Sequence, residues 1–599
     1  MDATSSLVVT ANAPEDLITS NIEIWTSAIQ TRSSAGRGSS KKLDLYGIKK
    51  LRELILELAV RGKLVPQDPN DEPATVLLKR ITAEKAHLVN EKKLKKTKAQ
   101  AAVSDNEVCV SLPQNWEWVR FGDIAQHNSG KTLDKGRNSG IARPYLTTSN
   151  LYWGRFELDS VREMLIKDEE LDKCSATKGD LLICEGGDAG RAAVWNREHD
   201  VCFQNHIHRA RFFGAISPYY MFRVFEKLSA TGEIDQYRKG VGISNMSGKA
   251  LASVVLPLPP LAEQHRIVAK VDELMALCDQ LEQQTEASID VHATLVETLL
   301  ATLTGSGDAA ELEQNWTRIA AHFDTLFTTD HSIEQLKQTV LQLAFMGKLV
   351  PQDPSDEPAA VLLEKIAADK ARLVKEKKIK KQKPLPPIGD DEKPFALPNG
   401  LGWARIGDVL SLQHGYAFKS KYFVEEATPY ILTTPGNFHE VGGFRHRGNR
   451  TKYYDGPLNG EFFLEPGDLI IPMTEQAPGL LGSAAFIPKD KNVYLHNQRL
   501  GKLTTYSEAI APEFVYWFFN CRFLRSELAR TCTGTTVRHT SPAKVLEALI
   551  PVMSLSEQHR IVAKLDQLMT LCDQLKERLQ QAQQTQLHLA DALVEKAVG

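Results

Sequence analysis

Short segments of this chain carry side chains of the types that are suited to hydrogen-bond to base edges and phosphates. Arginine binds guanine edges, asparagine and glutamine bind adenine edges, and serine, threonine and backbone amides hold phosphate oxygens. Each such residue alone is also typical of a solvated loop, so the prediction of a nucleic-acid interface rests on the whole set. The candidate contact residues are Thr147, Thr148, Asn150, Gln204, Asn205, His206, His208, Arg209, Lys239, Ser244, Asn245, Thr433, Thr434, His439, Arg445, Arg447, Arg450, Gln476, Asn497, Gln498, Arg499, Thr536, Arg538 and His539.

Catalytic motifs are incomplete wherever they begin. Ser129-Gly130-Lys131-Thr132 resembles the end of a phosphate-binding loop, but that pattern needs glycine at position 125, where the chain has alanine. The segment 217–220 resembles the loop that holds a flipped adenine in amino-methyltransferases, but it lacks the acidic or amide first residue and the second proline. Cys202 and the two histidines that follow it lack the fourth ligand of a zinc site. We therefore predict no catalytic residue, metal or cofactor in this chain.

The bulk composition is that of a multidomain globular protein. A chain of 599 residues is too long for one core. Its net charge of −3 means that any nucleic-acid binding must come from local patches. Eight cysteines form no Cys-x-x-Cys pair, which favours reduced thiols. No apolar run is long enough to cross a membrane and the N-terminus does not resemble a secretory signal, so we expect a cytoplasmic protein.

The candidate residues sit within a tandem repeat. GKLVPQDPNDEPATVLL at 62–78 returns almost unchanged at 347–363, and EQHRIVAK occurs at 263–270 and at 557–564. Weaker matches lie between, such as Tyr145-Leu-Thr-Thr with Tyr430-Ile-Leu-Thr-Thr. A unit of about half the chain is therefore present twice in the same order.

The near-identical parts read as helices. After each EQHR motif the apolar positions step by 4, 3, 4 and 3 residues, a heptad pattern typical of helices that pack lengthwise. The proline-rich PQDP segments predict turns between shorter helices. The predicted helices are 265–303, 557–597, 47–60, 332–345, 74–97 and 359–382.

The diverged parts read as two α/β domains, which we call the first head (106–257) and the second head (386–551). Apolar runs such as DLLIC, DLIIP and SVVLPL predict strands, and helices are expected at Pro218–Ser229 and Pro512–Arg530. Linkers are expected before each head, at KTKAQAAVSDNE and KPLPPIGDDEKP.

Matching loops of the two heads hold different side chains, as two different half-sites would require. Ile243-Ser244-Asn245 aligns with Val537-Arg538-His539. The lysine-rich segments 91–98 and 376–383 are either phosphate contacts or solvated helix ends. Two heads on one face of a duplex would sit one turn apart, ~34 Å. At 1.5 Å per residue, about 23 helical residues cover that distance.

Taken together, these motifs resemble the specificity subunit of type I restriction–modification enzymes. The resemblance rests on the tandem order of the repeats and on three motifs. These are Trp-x-x-x-Gly-Asp at the start of each head (Trp118 and Trp403), the Gly-Asp-Leu strand, and Glu-Gln-x-Arg-Ile after the end of each head (Glu263 and Glu557). About 100 residues precede the first head, which resembles the subgroup with a long N-terminal helical segment.

The resemblance implies an α+β fold with two globular target recognition domains, separated by long antiparallel coiled-coil-like helices with pseudo-twofold symmetry. Each recognition domain would bind one half of a bipartite, asymmetric double-stranded DNA site. The helices would set the spacing and dock two modification subunits, which methylate adenine N6 with S-adenosylmethionine. Two restriction subunits would supply ATP- and Mg-dependent translocation and cleavage. The implied boundaries are 1–105, 106–257, 258–385, 386–551 and 552–599.

Two other readings stay open at this point. A single-chain methyltransferase or nuclease would need the cofactor and metal motifs that the sequence lacks. A coiled-coil scaffold, or a stand-alone DNA-binding protein without methyltransferase partners, would share the helices and heads but would lack the partner subunits.

Overall fold

The computed structural model describes residues 14–33, 41–94, 100–108, 110–134, 136, 138–240, 244–475, 479–533 and 538–598. The described chain forms two compact units of mixed α/β structure with long helices. The first unit lies within Met1–Arg32, Lys41–Ala287 and Gln583–Gly599, and the second lies within Ser33–Ser40 and Ser288–Ala582. Each unit therefore contains one complete head.

Two long helices confirm the heptad prediction. They span Leu261–Gly305 and Leu555–Val598, and 45 residues correspond to about 67 Å of helix. Ile267, Val271 and Cys278 of the first heptad stripe are fully buried. Residues 288–305 of the first helix belong to the second unit, and residues 583–598 of the second helix belong to the first unit.

The shorter repeated helices are confirmed in position but not in length. Tyr46–Val60 and Asp330–Phe345 match the prediction closely. Ala74–Asn90 and Ala359–Lys375 end about seven residues before the predicted ends. The reason is a left-handed residue after each helix, Lys92 (φ 57°) and Lys377 (φ 59°), which turns the chain away from the helix axis.

The remaining helices are short. In the first unit they are Pro14–Thr19, Ile22–Ser27, Phe121–Ile124, Leu171–Cys174, Pro218–Ala230 and Gly248–Ser253, with 3₁₀ turns at Asp105–Glu107, Asp168–Glu170 and Glu233–Tyr237. In the second unit they are Ala309–Ala320, Phe323–Leu326, Ile406–Val409, Pro512–Asn520, Arg522–Arg530 and Pro542–Glu547, with 3₁₀ turns at Asp390–Glu392, Ser420–Tyr422, Pro435–Asn437, Gly448–Arg450 and Gly460–Phe462. The helix predicted at Pro512–Arg530 is thus two helices, because Cys521 has an extended ψ of 130°.

The first head is built on two four-stranded sheets. The strands of the antiparallel sheet, in spatial order, are Ala192–Val194, Leu181–Cys184, Ile207–Phe212 and Ala125–Ser129. Those of the mixed sheet are Arg162–Ile166, Ile141–Leu146, Val201–Phe203 and Ser175–Ala176. Two-stranded pairs join Glu117–Arg120 with Val255–Leu258, Leu151–Tyr152 with Arg155–Phe156, and Gly186–Gly187 with Ser244–Asn245. Further strands lie at Gln30–Ser33 and Lys41–Asp44.

The second head repeats this plan. Its antiparallel sheet has the order Leu410–His414, Leu500–Thr505, Leu469–Pro472 and Ala485–Phe486. Its mixed sheet has the order Phe423–Val424, Tyr453–Tyr454, Tyr430–Thr433, Val493–His496 and Phe463–Leu464. Gly402–Arg405 pairs with Leu549–Val552, and Thr474–Glu475 pairs with Arg538–His539. The apolar runs DLLIC, DLIIP and SVVLPL are therefore strands, as predicted.

In each unit the proline-rich motif binds the EQHR motif, and this contact accounts for the similarity of both motifs between the two repeats. In the first unit Gln67 and Trp116 donate hydrogen bonds to the Glu263 carboxylate, and Arg266 pairs with Asp71. The second unit has the same contacts from Gln352 to Glu557 and from Arg560 to Asp356. A change in either motif would break this joint between the long helix and the proline-rich turn.

The second residue of each EQHR motif fastens the long helix to a head. Gln264 is fully buried; its Oε1 accepts from Ser217 N–H, and its Nε2 donates to the Pro259 carbonyl. Gln558 is also fully buried and accepts from Ala511 N–H in the same way. The helix that begins at residue 218 or 512 is thereby held against the start of the long helix.

The segments predicted as linkers are fastened to their heads. Arg120 donates to the carbonyls of Ala101 and Ala102 and pairs with Glu107 at 2.9 Å. Arg405 makes the equivalent pair with Glu392 at 2.8 Å. In the described part of each predicted linker, one buried arginine of the head binds the segment, so the segment lies against its head.

Candidate nucleic-acid interface

Four exposed candidates lie where the central strand of each antiparallel sheet ends: His206, Asn245, Arg499 and His539. In the first head that strand is Leu181–Cys184, and the next residue, Glu185, lies between two loops. Glu185 N–H donates to the His206 carbonyl, and Met246 N–H donates to the Glu185 carbonyl. The backbones at 206, 185 and 246 therefore lie side by side.

The second head has the same arrangement at the end of Leu469–Pro472. Met473 N–H donates to the Arg499 carbonyl, and Thr540 N–H donates to the Met473 carbonyl. His206 and Arg499 thus occupy equivalent backbone positions on a turn that enters the next strand. We call these two positions, with Asn205 and Gln498 before them, the turn positions.

A glycine directly after the first strand, in chain order, of each antiparallel sheet lets the backbone there pass close to the segment that leads into the turn positions. A Cβ at Gly130 would lie 2.1 Å from the Phe203 carbonyl oxygen, and one at Gly415 would lie 2.2 Å from the Asn497 carbonyl oxygen. This crossing explains the Ser-Gly-Lys-Thr segment that resembles a phosphate-binding loop. Its Lys131 pairs with Glu170 at 2.6 Å instead of facing an open glycine loop.

Beside each turn lies a short ribbon. The first ribbon pairs Gly187 with Ser244 and Gly186 with Asn245. The second pairs Glu475 with Arg538 and Thr474 with His539. The sequence alignment of Ser244-Asn245 with Arg538-His539 therefore agrees with the strand register.

Successive side chains of each ribbon point to opposite faces, as in any strand. Ser244 bonds back to its own head through the Gly187 carbonyl. Arg538 does the same through the Ala529 carbonyl and through Glu475, whose carboxylate lies 3.1 Å from the guanidinium. Asn245 and His539 are the exposed members. In the first ribbon Ser244 is held by a hydrogen bond and Asn245 is exposed, whereas in the second ribbon the exposed His539 also lies within hydrogen-bond distance of the Thr533 hydroxyl, 3.1 Å from its Nε2.

A third loop is held by a Thr-x-x-Asn turn. Asn150 Oδ1 accepts from the Thr147 N–H and hydroxyl, and Asn437 Oδ1 accepts from the same groups of Thr434. The structure therefore aligns Thr147 with Thr434, one residue away from the Leu-Thr-Thr match in the sequence. Asn437 was not among the candidates, although the Thr-x-x-Asn spacing was available as a signal.

Five candidates are buried, and the structure gives protein partners to four of them: Thr147, Asn150, His208 and Arg209. Arg209 donates to the Asp172 and Ser175 carbonyls. His208 Nε2 donates to the Met246 carbonyl, and burial lowers the pKa of its imidazole, which keeps it neutral. Thr433 is fully buried. These side chains shape the loops from inside the heads and present no surface there.

The other described candidates are exposed or half-buried. Gln476 and Thr536 lie outside the described residues. The exposed candidates are His206, Lys239, Asn245, His439, Arg450, Gln498, Arg499 and His539, and the half-buried ones are Thr148, Gln204, Asn205, Ser244, Thr434, Arg445, Arg447, Asn497 and Arg538.

The arginine-rich segment of the second head is partly ordered by its own contacts. Arg445 Nε lies 3.2 Å from His439 Nδ1, and its guanidinium pairs with Glu440 at 2.8 Å. A Cβ at Gly436 would lie 2.8 Å from the Arg447 guanidinium, so that side chain lies over the glycine. Two guanidinium groups are thus held near the Thr-x-x-Asn turn.

The sequence interpretation missed a cluster of one tyrosine and two arginines in the first head. The guanidinium groups of Arg155 and Arg191 lie 4.8 and 5.4 Å from the centre of the Tyr152 ring, and Arg191 also donates to the Thr148 carbonyl. Tyr152 is 38% exposed. Two cations around an accessible ring form a surface that suits a phosphate backbone. The closely spaced Tyr152 and Arg155 were the available signal.

Three further features of the described residues concern metal sites, cysteines and membrane spans. In the described ranges, no group of three histidine, cysteine or acidic side chains is placed to hold a metal ion. The seven described cysteines are free thiols. Across the same ranges, no helix has the length and apolar character needed to cross a membrane.

Comparison with known proteins gives matches over nearly the whole chain. Residues 113–291 and 401–584 each match the family described as Type I restriction modification DNA specificity domain. The chain is 42% identical over 602 residues to the Type I restriction enzyme EcoAI specificity subunit of Escherichia coli, covering 98% of this chain and 100% of that protein. It is 40% identical over 624 residues to the EcoEI specificity subunit of Escherichia coli, with the same coverage.

A solved structure also matches. It is the crystal structure of the HsdS subunit from Thermoanaerobacter tengcongensis, with a TM-score of 0.40 and 18% sequence identity, covering 82% of this chain and 98% of that chain.

Proposed function

The chain belongs to the type I restriction–modification DNA specificity family, and we propose that its two heads bind the two halves of one split, asymmetric duplex DNA site. The chain is a non-catalytic specificity subunit, so its contribution is recognition. The scaffold and stand-alone alternatives, which lack partner subunits, are not favoured by this membership.

One observation carries the proposal of two half-sites. Both heads hold a turn position and a ribbon at the end of the same central strand, with the same backbone hydrogen bonds. The exposed side chains at these equivalent positions differ: His206 and Asn245 in one head, Arg499 and His539 in the other. Equivalent backbone positions, which we call the shared frame, thus carry different hydrogen-bonding side chains. Such an arrangement suits two heads that bind different base sequences with the same docking geometry.

We assign direct DNA contact to the exposed and half-buried candidates only. The buried candidates would position the loops. Tyr152, Arg155 and Arg191 join the interface of the first head as a phosphate-binding cluster. The lysine-rich segments 91–98 and 376–383, of which residues 95–98 lie outside the described residues, would add phosphate contacts and salt dependence.

The long helices would set the distance between the half-sites. Their 45 and 44 residues exceed the ~23 residues that one ~34 Å turn of duplex requires. Their heptad stripes and the exchange of helix ends between the units support an antiparallel, coiled-coil-like arrangement with pseudo-twofold symmetry. The domain boundaries we propose are 1–105, 106–257, 258–385, 386–551 and 552–599.

The same helices would dock two modification subunits, with two restriction subunits completing the enzyme. Val291 and Leu295, one helical turn apart, are 68% and 48% exposed, and Leu571 is 53% exposed. Exposed apolar side chains on long helices suit a protein interface. S-adenosylmethionine, ATP and Mg would act on the partner subunits, and the assembly would work in the cytoplasm, where it meets cellular DNA.

The test is a change of one head in the assembled enzyme. Residues 106–257 are replaced by the first head of a relative, and adenine methylation sites are mapped by sequencing DNA from cells that express the complex. We expect one half of the two-part site to change and the other half to stay. A change in both halves would contradict separate reading, and methylation by the purified chain alone would contradict a non-catalytic role.

A further inference from the structure

The geometry points to Asn245 and Arg499 as specificity-determining residues, Asn245 for an adenine in one half-site and Arg499 for a guanine in the other. This inference rests on the proposed function and adds to it which positions select bases and which base each selects.

Asn245 lies at the exposed ribbon position of the first head, and Arg499 lies at the exposed turn position of the second head. Asn245 is the outward member of the first ribbon, while its neighbour Ser244 is tied to the Gly187 carbonyl. Arg499 holds the turn position of the second head, where its carbonyl accepts from Met473 N–H. In both cases backbone groups are fixed by hydrogen bonds while the residue is exposed.

Both side chains are free to bind a ligand. Within the described residues, neither Asn245 nor Arg499 has a side-chain hydrogen bond or ion pair, and both are exposed. Two other arginines of the second head differ: Arg538 is held by Glu475 and Ala529, and Arg445 by Glu440. An arginine left unpaired on a fixed turn keeps its bidentate donors for an incoming acceptor.

The spacing of the two positions in one head matches a short run of bases. His206 and Met246, the residue that follows Asn245, lie on either side of Glu185 and are two strand spacings of about 4.8 Å apart, which gives about 10 Å between the backbone of the turn and the end of the ribbon. Bases are stacked about 3.4 Å apart along each strand of a duplex. The turn and ribbon positions therefore span about three base steps, so each contacts a different base.

The side-chain chemistry then selects the base. An asparagine amide offers one donor and one acceptor, which match N7 and the N6 amino group of adenine. An arginine guanidinium offers two donors, which match O6 and N7 of guanine. The equivalent positions hold His539 and His206, so the two heads present different groups at each position.

The experiment measures base preference in the assembled enzyme. The chain and its modification subunits are purified as a complex, a random duplex library is methylated with S-adenosylmethionine, and the methylated molecules are sequenced. We expect Asn245→Ala to lower the preference for one adenine in one half-site by about 5- to 140-fold, the equivalent of ~1–3 kcal/mol. We expect Arg499→Ala to do the same for one guanine in the other half-site.

Two conservative variants make the assignment sharper. Asn245→Gln keeps the amide and should keep adenine, whereas Asn245→Asp offers only acceptors and should shift the preference toward cytosine. Asn196→Ala and Arg318→Ala are the matched controls, because both residues are exposed in the same units but lie outside the turns and ribbons. Both controls should leave every base preference unchanged.

The possible results separate this inference from the function it rests on. If the parent complex yields no two-part site, the proposed function fails. If the parent yields a two-part site and the Asn245 and Arg499 variants keep all of its bases, the inference fails while the function stands. A loss in the wrong half-site, or an equal loss at every base, would also overturn it, because it would indicate phosphate contact or a misfolded head.

Discussion

Replacing buried Gln264 by leucine should loosen the joint between the first head and its long helix. The change removes the acceptor of Ser217 N–H and the donor to the Pro259 carbonyl. A buried amide left without a partner costs about 1–3 kcal/mol, and the second lost bond adds about 1 kcal/mol. We expect a local loss of about 2–4 kcal/mol.

Hydrogen–deuterium exchange measures this loss where it arises. Since each 1.4 kcal/mol is a tenfold change in the opening equilibrium, peptides covering Ser217 should exchange about 30- to 700-fold faster in Gln264→Leu. The neighbouring His265 is exposed, so His265→Ala is the control and should exchange like the parent. Gln558→Leu should give the same effect at Ala511.

Unchanged exchange at Ser217 in Gln264→Leu would refute this reasoning, since it would mean that the buried hydrogen bonds contribute nothing to the joint. Equal acceleration in Gln264→Leu and His265→Ala would refute it as well, because the effect would then come from the helix end and not from the buried amide.

Three other perturbations test the frame. Burial raises the pKa of the Glu557 carboxyl, so the folded state binds this proton more tightly than the unfolded chain does. The free energy of unfolding therefore falls as pH rises from 4.5, the ordinary pKa, through the raised pKa. Glu557→Gln should lose less stability than the parent protein when urea unfolding is compared between pH 4.5 and about pH 7. Gly347 has a φ of 68° and a Cβ there would lie 2.7 Å from Leu401, so Gly347→Ala should cost about 1–3 kcal/mol in urea unfolding, whereas Gly305→Ala, with open space around it, should not. One extra turn in the helix Leu261–Gly305 adds about 5.4 Å and should widen the gap between half-sites by one or two base pairs without changing their letters; an unchanged gap in the methylation map would contradict the spacer role.

The frame of this protein could be predicted from the sequence because its signals are repeated. Heptad steps after each EQHR motif gave both long helices, and short apolar runs bounded by turns gave the central strands. The ends of two helices could not be predicted, since the sequences that follow them, Glu-Lys-Lys-Leu and Glu-Lys-Lys-Ile, consist of residues that are common in helices. Only the left-handed residues at Lys92 and Lys377 end those helices.

The interface was predictable in kind but not residue by residue. Arg209 was read as a loop residue, yet it lies in the strand Ile207–Phe212 with its guanidinium enclosed. The Leu-Thr-Thr match is one residue away from the structural equivalence of Thr147 with Thr434, because so short a match does not fix the alignment; the Thr-x-x-Asn spacing marks the equivalent residues. Which polar side chains face outward depends on strand register, and two-residue ribbons are too short to show a period.

The exchange of helix ends has a consequence for biosynthesis. Residues 583–598 pack into the first unit, where Tyr46 bonds to Asp591 and Arg61 bonds to the Val598 carbonyl. Everything else in that unit has been translated by residue 287. At ~5–20 residues per second, the ribosome needs about 15–60 s more to deliver the missing helix. During that interval the nascent chain carries an open apolar seam, which makes it a client for chaperones that shield exposed hydrophobic surface.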